Sequence, residues 1–142
     1  MRIVIINGAN LNLLGKREPE VYGTRDFDSY LDSLRKLYPD IRIDYFQSNI
    51  EGEIINIIQD NGFSCDGIIL NAGGYTHTSV AIADAVAAVK SPVIEVHISN
   101  IFAREEERKI SLLSRYVIGI ISGLGLEGYE LALLGLTKKL KA

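Results

Sequence analysis

The chain has 142 residues, of which 47% are hydrophobic and 23% are charged, and its formal net charge is -3. These values are typical of a single globular domain that is long enough to bury a core. The excess of acidic over basic residues argues against a surface that binds nucleic acid or an anionic membrane, and no apolar run approaches the roughly 20 residues of a transmembrane helix.

The lone cysteine, Cys65, excludes an internal disulfide and a metal site built from several cysteines, and it fits a reducing compartment. The opening residues, MRIVIING, are interrupted too soon for a signal peptide. We therefore expect a cytoplasmic protein with no nucleic-acid or membrane partner. Because no linker or low-complexity tract divides the chain, residues 1–142 are expected to form one domain.

The first strand is predicted at Ile3 to Ile6, a continuous apolar run typical of a buried strand. A polar tetrad that contains Asn7 and Asn10 ends it, and a short helical turn at Leu11 to Leu14 follows. The segment from Lys16 to Thr24 is highly charged and has no periodicity, which predicts a loop. Such a loop could close over a site as a lid, or it could be an ordinary solvated connection.

Helix and strand signals alternate beyond this loop. An apolar stripe at helical spacing predicts an amphipathic helix capped by Asp26 or Thr24. Apolar and charged residues alternate over residues 41–45, which predicts a half-exposed strand at the edge of a sheet. Ser48 and Glu51 have the spacing of a capping box and predict the start of a second helix.

The second half of the chain continues the alternation. In chain order its predicted elements are a buried strand at Gly67 to Leu70, a helix at Val80 to Val89, strands at Pro92 to His97 and Tyr116 to Ile121, and a closing helix at Glu127 to Lys141. Thr76 or Thr78 is expected to cap the helix that follows the third strand. This pattern predicts an α/β fold: a single-domain, flavodoxin-like, doubly wound sheet of about five parallel strands with helices on both faces.

Polar side chains collect where three predicted strands end, on the side of the sheet where doubly wound folds bind ligands. They are Asn7 and Asn10 after the first strand, Asn71 and His77 after the third, and His97 and Ser99 after the fourth. Glu95 precedes His97 by two residues, so both side chains point to the same face of the strand. A carboxylate beside an imidazole fixes its orientation and favours its protonated form, which suits a general acid, although a plain ion pair is the alternative.

Other common chemistries lack their motifs. No G-x-S-x-G elbow or Walker phosphate loop occurs, and the two histidines lack paired ligand spacing, so neither a metal nor a cofactor is expected. Gly123 to Gly128 matches G-x-G-x-x-G, but no strand with an acidic residue follows it as a dinucleotide site requires, which favours close packing of strand and helix. Arg104 and Arg108 would share a helix face, either to hold a carboxylate or as part of a solvated charge run.

Taken together, five stretches of the sequence resemble the type II 3-dehydroquinate dehydratase family. They are NGANLNLLGKREPEVYG, QSNIEGE, ILNAGGYTHTS, IEVHISNIFAREEERKIS and ISGLGLEGYELAL, and they cover nearly the whole chain. The resemblance implies a dehydratase of shikimate or quinate metabolism, which on the shikimate route leads to chorismate and the aromatic amino acids. It also implies anti elimination of water from 3-dehydroquinate through an enolate, giving 3-dehydroshikimate without a metal or an imine.

The resemblance further implies catalytic roles by motif position. The residues are Tyr22 as proton acceptor, His97 as proton donor, Arg17 as transition-state stabiliser, and Asn10, Glu95 and Arg104. Tyr22 would remove the C2 proton as tyrosinate, and because a free tyrosine has a pKa of about 10, nearby arginines are needed. His97, oriented by Glu95, would protonate the departing C1 hydroxyl. Asn10 would hold a water that stabilises the enolate.

A second set of positions is implied to bind substrate. They are Asn71, Gly73, Gly74, His77, Asp84, Ile98, Ser99 and Arg108. Asn71, His77 and Arg108 would hold the hydroxyls of the substrate, and the backbone around Ile98 and Ser99 would hold its carboxylate. Asp84, seven residues from His77 and expected on the same helix face, matches a position reached from a neighbouring subunit, because the family forms trimers that assemble into dodecamers.

The sequence also departs from the family pattern. Ala9 and Ala72 replace usual prolines, Gly74 replaces an alanine, Ile50, Phe102 and Ile110 replace histidines, and Leu112 replaces a tyrosine. These departures concern turn stiffness and subunit contacts more than the reaction. The rival hypothesis is a flavodoxin-like module that binds a nucleotide or flavin, or a partner-binding relative that has lost turnover.

Overall fold

A parallel sheet of five strands forms the centre of the computed structural model, which describes residues 1–142. The strands are β1 (Arg2–Asn7), β2 (Arg42–Gln47), β3 (Gly67–Asn71), β4 (Val93–His97) and β5 (Gly119–Ser122). Their order in the sheet is β2-β1-β3-β4-β5, and every neighbouring pair is parallel. The predicted α/β fold with five parallel strands is confirmed.

Helices cover both faces of the sheet. They are α1 (Pro19–Tyr22), α2 (Phe27–Leu37), α3 (Glu51–Asn61), α4 (Val80–Ala88) and α5 (Glu127–Lys141). Helices α2 and α5 pack on one face and α3 and α4 on the other, so the sheet separates two buried apolar clusters. None of these helices combines the length and the apolar content that a membrane span requires.

The register of the strands aligns polar residues at the carboxyl ends of the strands. Asn7 lies beside Asn71 across β1 and β3, and His97 lies beside Ser122 across β4 and β5. The strand order reverses between β1 and β3, the point at which doubly wound sheets open a ligand crevice. The apolar runs inside β1 and β3 are completely buried, and this burial fixes the position of the polar residues that follow them along the strands.

The predicted cap of α4 was wrong. The cap is Ser79, whose hydroxyl accepts a hydrogen bond from the N–H of Ile82 at 2.9 Å. A five-residue 3₁₀ turn, Gly73–His77, winds the preceding segment more tightly and delays the start of the helix. Thr76 is consequently buried inside this turn, where its hydroxyl has no hydrogen-bond partner.

The other predicted helix starts had mixed outcomes. Asp26 caps α2 by accepting the N–H of Ser29 at 2.8 Å, as one of the two predicted candidates. The capping box at Ser48 was wrong, because its hydroxyl binds Glu53 instead and accepts the N–H of Ile50. Ile50 therefore occupies the N-cap position of α3, and no side chain makes a capping hydrogen bond there.

The charged segment at residues 16–24 is not entirely a loop. It contains the four-residue helix α1, which begins at Pro19 and ends before Gly23. Proline at a first helical position has its φ already set for the helix, and Gly23 accepts the positive φ of 82° that ends it. This short helix turns one face of the segment toward the carboxyl ends of the strands.

One glycine of the G-x-G-x-x-G match, Gly128, has the packing role that the sequence indicated, whereas a Cβ atom at Gly125 would meet nothing within 4 Å. A Cβ atom at Gly128 would lie 3.3 Å from Cγ1 of Val96 and 3.4 Å from Cγ2 of Ile121. Helix α5 therefore crosses β4 and β5 at a distance that only glycine permits without adjustment. Strand β5 begins at Gly119, three residues later than predicted.

Candidate active site

An open pocket of about 640 Å³ lies at the carboxyl ends of β1, β3 and β4. Twelve of the predicted site residues line it: Asn10, Arg17, Tyr22, Asn71, Gly73, Gly74, His77, His97, Ile98, Ser99, Arg104 and Arg108. Two predicted residues do not, since Glu95 lies buried behind His97 and Asp84 lies in a separate groove.

Helix α1 and the segment after β4 bring a tyrosine and two arginines together. Nη1 of Arg104 donates to the hydroxyl of Tyr22 at 3.0 Å and to the hydroxyl of Ser99 at 3.2 Å. The guanidinium of Arg17 lies 5.4 Å from the centre of the Tyr22 ring. Positive charge at this range stabilises negative charge that develops on a phenol oxygen. The arrangement can therefore support a tyrosine that acts as a base.

A histidine that lines the pocket is held from behind by a buried carboxylate. Nε2 of His97 lies 2.5 Å from Oε1 of Glu95, as their spacing on one strand face predicted. The Glu95 carboxylate is completely buried, and its oxygens also accept from the hydroxyl of Ser111 at 2.8 and 2.9 Å. With Nε2 held by the carboxylate, Nδ1 of His97 is left without a protein partner. This nitrogen is the one available for proton transfer.

Ser111 is a contributor to the site that the sequence did not reveal. Its oxygen accepts the N–H groups of Leu113 and Ser114 at 3.2 and 3.1 Å, which leaves its own proton for Glu95. A buried carboxylate needs further donors, so the sequence could have predicted that some donor was missing. It could not have indicated which, because Ser111 is 16 residues beyond Glu95.

His77 lies against His97 but makes different contacts. The two rings stack with their centres 6.2 Å apart and an angle of 25°. Nδ1 of His77 donates to the carbonyl of Ile110 at 2.7 Å. In the neutral ring Nε2 therefore carries no proton, and it can accept a hydrogen bond from a ligand hydroxyl. The geometry suits hydrogen bonding to a substrate.

The arginines at 104 and 108 do not share a helix face as predicted. Arg104 follows one 3₁₀ turn, Ile101–Ala103, and Arg108 ends another, Glu106–Arg108, because the chain does not continue as an α-helix here. Both nevertheless line the pocket. The hydrogen bond that Nε of Arg108 donates to the carboxylate of Glu105 raises the pKa of Arg108, so its guanidinium stays charged.

The prediction that Asp84 and His77 lie on one helix face was also wrong. His77 ends the 3₁₀ turn, whereas Asp84 lies in α4 beyond the cap at Ser79. Asp84 lines a surface groove with Ser111, Arg115 and other residues, away from the pocket of its own chain. No three histidine, cysteine, aspartate or glutamate side chains converge in a way that could hold a metal ion.

The profile of the dehydroquinase class II family matches residues 1–137 of the chain. The protein belongs to this family. The 3-dehydroquinate dehydratase of Prochlorococcus marinus (strain MIT 9515) is 50% identical over an alignment of 143 positions, which covers 99% of this chain and 98% of the relative. The 3-dehydroquinate dehydratase of Fusobacterium nucleatum subsp. nucleatum is 54% identical over 138 residues, with 93% of each chain covered.

Solved structures of class II dehydroquinases share the fold. The type II dehydroquinase from Butyrivibrio crossotus DSM 2876 superposes with a TM-score of 0.93 at 44% identity, covering 96% of this chain and 97% of that one. The type II dehydroquinase from Propionibacterium acnes gives a TM-score of 0.89 at 38% identity, with coverages of 99% and 97%. The sequence resemblance to type II 3-dehydroquinate dehydratases is thereby confirmed.

Two glycines of the third-strand turn differ in what the fold demands of them. Gly73 has a φ of +62°, and a Cβ there would lie 2.7 Å from the carbonyl oxygen of Ala9, so a larger residue would strain this wall of the pocket. Gly74 has no atom within 4 Å of a Cβ position, so the alanine usual in the dehydroquinase family would fit without a clash. The departure at Gly74 is therefore sterically neutral.

Proposed function

We propose that the protein is a 3-dehydroquinate dehydratase, a lyase that converts 3-dehydroquinate to 3-dehydroshikimate and water. Membership of the dehydroquinase class II family supports the substrate and reaction. The observation that carries the mechanism is the 3.0 Å hydrogen bond from Arg104 to Tyr22, in a pocket that His97 also lines. One group is placed to take a proton and another to give one.

In the first step, Tyr22 as tyrosinate removes the C2 proton of the substrate. Arg104 donates to the phenol oxygen and Arg17 lies beside the ring, so two cations stabilise the negative charge of the tyrosinate. Loss of the proton gives an enolate, and Asn10, on the pocket wall, holds a water that donates to the enolate oxygen. The proposed reaction is a stepwise elimination, with the anti stereochemistry that the family resemblance implies.

In the second step, His97 gives its proton to the departing C1 hydroxyl, which leaves as water. Glu95 holds the imidazole in one orientation and stabilises its positive form, and Ser111 holds Glu95. The route uses neither a metal nor a Schiff base. The pocket lining contains no lysine, so no amine is placed there to form an imine.

The remaining pocket residues bind and orient the substrate. Asn71, His77 and Arg108 hold its hydroxyls, while the backbone at Ile98 and Ser99 holds its carboxylate. The backbone of Gly73 and Gly74 completes this wall. A charged arginine and donors on the same wall suit a polyhydroxylated carboxylate.

We also propose that residues 16–24 act as a lid and that the protein assembles as a trimer within a dodecamer. The lid is supported by α1, which carries Tyr22 into the pocket. Assembly is supported by Asp84, which lies outside the pocket of its own chain and is free to complete a neighbour's site. Val80 beside it is 63% exposed in the single chain, which is expected of an apolar side chain that another subunit covers in the assembly. Light scattering after size-exclusion chromatography tests the assembly.

We propose a cytoplasmic enzyme of the shikimate pathway, which supplies chorismate for aromatic amino acids. The free, buried thiol of Cys65 is compatible with that compartment.

A turnover assay tests the proposed function directly. Purified protein is mixed with 3-dehydroquinate, and the conjugated enone acid that forms is followed by its ultraviolet absorbance. Chelator should not slow the reaction, and borohydride added with substrate should not inactivate the enzyme. Tyr22→Phe should remove nearly all turnover, whereas the control Tyr38→Phe, which loses a hydroxyl bound to Glu130, should retain it.

Each alternative has its own outcome in this assay. Full activity in Tyr22→Phe would refute the base assignment while leaving the reaction in place. Absence of turnover together with thermal stabilisation by flavin mononucleotide would refute the dehydratase and favour the flavin-binding hypothesis.

A further inference from the structure

The hydroxyl of Tyr129 joins the two asparagines that end β1 and β3. It donates to Oδ1 of Asn7 at 2.7 Å and accepts from Nδ2 of Asn71 at 2.9 Å. Tyr129 is completely buried on α5, and its ring packs edge-on against Phe27 at 4.9 Å. Tyr129 therefore does not line the pocket, although one of its partners, Asn71, does.

These hydrogen bonds have only one consistent direction. Oδ1 of Asn71 accepts the backbone N–H of Gly73 at 3.1 Å, so Nδ2 of Asn71 faces the phenol and donates to it, which leaves the phenol proton for Oδ1 of Asn7. A phenol has one proton, and once that proton is donated to Asn7 the oxygen can only accept from Asn71. Burial raises the pKa of Tyr129 far above its usual value, so the phenol keeps this proton.

The same logic fixes the amide of Asn71. Its Oδ1 accepts the backbone N–H of Gly73 at 3.1 Å, and one N–H of Nδ2 is given to Tyr129. An asparagine side chain has two N–H donors, so a single donor remains. Asn71 is 3% exposed and lines the pocket, and the remaining N–H is the group that it can offer there.

We propose that Tyr129 is a positioning residue that, together with the backbone N–H of Gly73, holds the Asn71 amide so that it presents a hydrogen-bond donor to the substrate. The wall at Asn71 then selects a ligand group that presents a lone pair, such as a hydroxyl oxygen. This inference rests on the proposed function, because it assigns the polarity of one wall of that site. It adds a role for α5, which supplies no residue to the pocket itself.

Removing the hydroxyl alone isolates this role. In Tyr129→Phe the ring still fills the core, but Asn71 loses the acceptor that holds one of its two N–H groups and Asn7 loses its donor. A net hydrogen bond of the usual strength corresponds to a rise in KM of about threefold to tenfold. The change in kcat should stay within about twofold, since Tyr129 has no hydrogen bond to either proton-transfer residue, Tyr22 or His97.

The test is a double-mutant cycle with 3-dehydroquinate as the probe. Steady-state kinetics are measured for the wild type, Tyr129→Phe, Asn71→Ala and the combination. The substitution at Tyr129 should raise KM in the wild-type background and have no further effect once Asn71 is alanine. Tyr30→Phe is the matched control, because it removes another hydroxyl of the same aromatic cluster, one that contacts only the N–H of Glu130.

Several results would overturn the proposal. An equal rise in KM with and without Asn71, a loss confined to kcat, or the same effect in Tyr30→Phe would each show a general structural disturbance. If Tyr129→Phe does not fold, Asn7→Ala removes the acceptor of the phenol proton. The hydroxyl can then turn this proton toward Asn71, which weakens the bond from Nδ2 and should raise KM. A wild type that does not turn over 3-dehydroquinate would refute the proposed function, whereas an active wild type without coupling between the two residues would refute only this inference.

Discussion

Replacement of the buried carboxylate of Glu95 by an amide is the most informative perturbation of the site. Glu95→Gln keeps the shape of the side chain but removes the negative charge that His97 faces at 2.5 Å. The amide oxygen can still accept from the imidazole. What is lost is the stabilisation of the positive ring, and thereby the ability of His97 to hold the proton that it gives to the leaving hydroxyl.

The magnitude follows from the contacts of Glu95. The carboxylate is completely buried, so solvent does not screen the pair. A hydrogen bond to a charged group contributes about 1.5 to 3 kcal/mol, and each 1.36 kcal/mol is about tenfold in rate. We therefore expect kcat to fall by about tenfold to 150-fold. Ser111→Ala should show a smaller loss of the same kind, because it removes a neutral donor from the same carboxylate.

The assay is the absorbance measurement of kcat and KM at several pH values, with thermal unfolding as a check on the fold. Glu130→Gln is the matched control, since this glutamate also accepts a hydrogen bond, from Tyr38 at 2.6 Å, yet does not line the pocket. An unchanged kcat in Glu95→Gln would refute the reasoning. So would a loss as large in the control.

Three further predictions concern catalysis and stability. His97→Asn should lower kcat more than His77→Asn in the same turnover assay, because only His97 is assigned a proton transfer; the reverse order would contradict the assignment. Burial favours the neutral form of Asp44, but hydrogen bonds from two arginines outweigh it and lower its pKa. The ionised carboxylate of Asp44 therefore stabilises the folded protein above the ordinary pKa of 3.8, and this contribution is lost as the pH falls through the lower pKa of the folded state. Denaturant curves of Asp44→Asn and wild type should accordingly differ near neutrality and converge in strong acid. Thr76→Val should raise the free energy of unfolding by about 1 kcal/mol in urea, because the buried hydroxyl has no partner; a lower value would show that it has one.

Local patterns predicted the elements of the fold well. The apolar runs at residues 3–6 and 67–70 were correctly assigned to the buried central strands, and the alternation at 41–45 was correctly assigned to an edge strand. Helix α5 has the predicted bounds. These predictions succeed because burial on one or both faces imposes a period that a single segment displays.

Helix starts were less predictable for a physical reason. Several hydroxyls near each start could cap, and the choice depends on how tightly the preceding segment winds. The 3₁₀ turn at Gly73–His77 buries Thr76, and Ser79 caps helix α4 instead. Two separate 3₁₀ turns likewise replaced the single helix expected for Arg104 and Arg108.

The sequence by itself determined the α/β fold, the gathering of polar residues at the carboxyl ends of the strands, the pairing of Glu95 with His97 and the resemblance to the dehydroquinase family. Each of these depends on residues that are close in the chain or on motifs that retain their order. Only the tertiary structure decided which distant groups meet: Arg104 with Tyr22 across 82 residues, and Tyr129 with Asn7 across 122. The reason is that parallel strands and their crossover helices bring such residues together through packing, and packing leaves no periodic mark in the sequence around either partner.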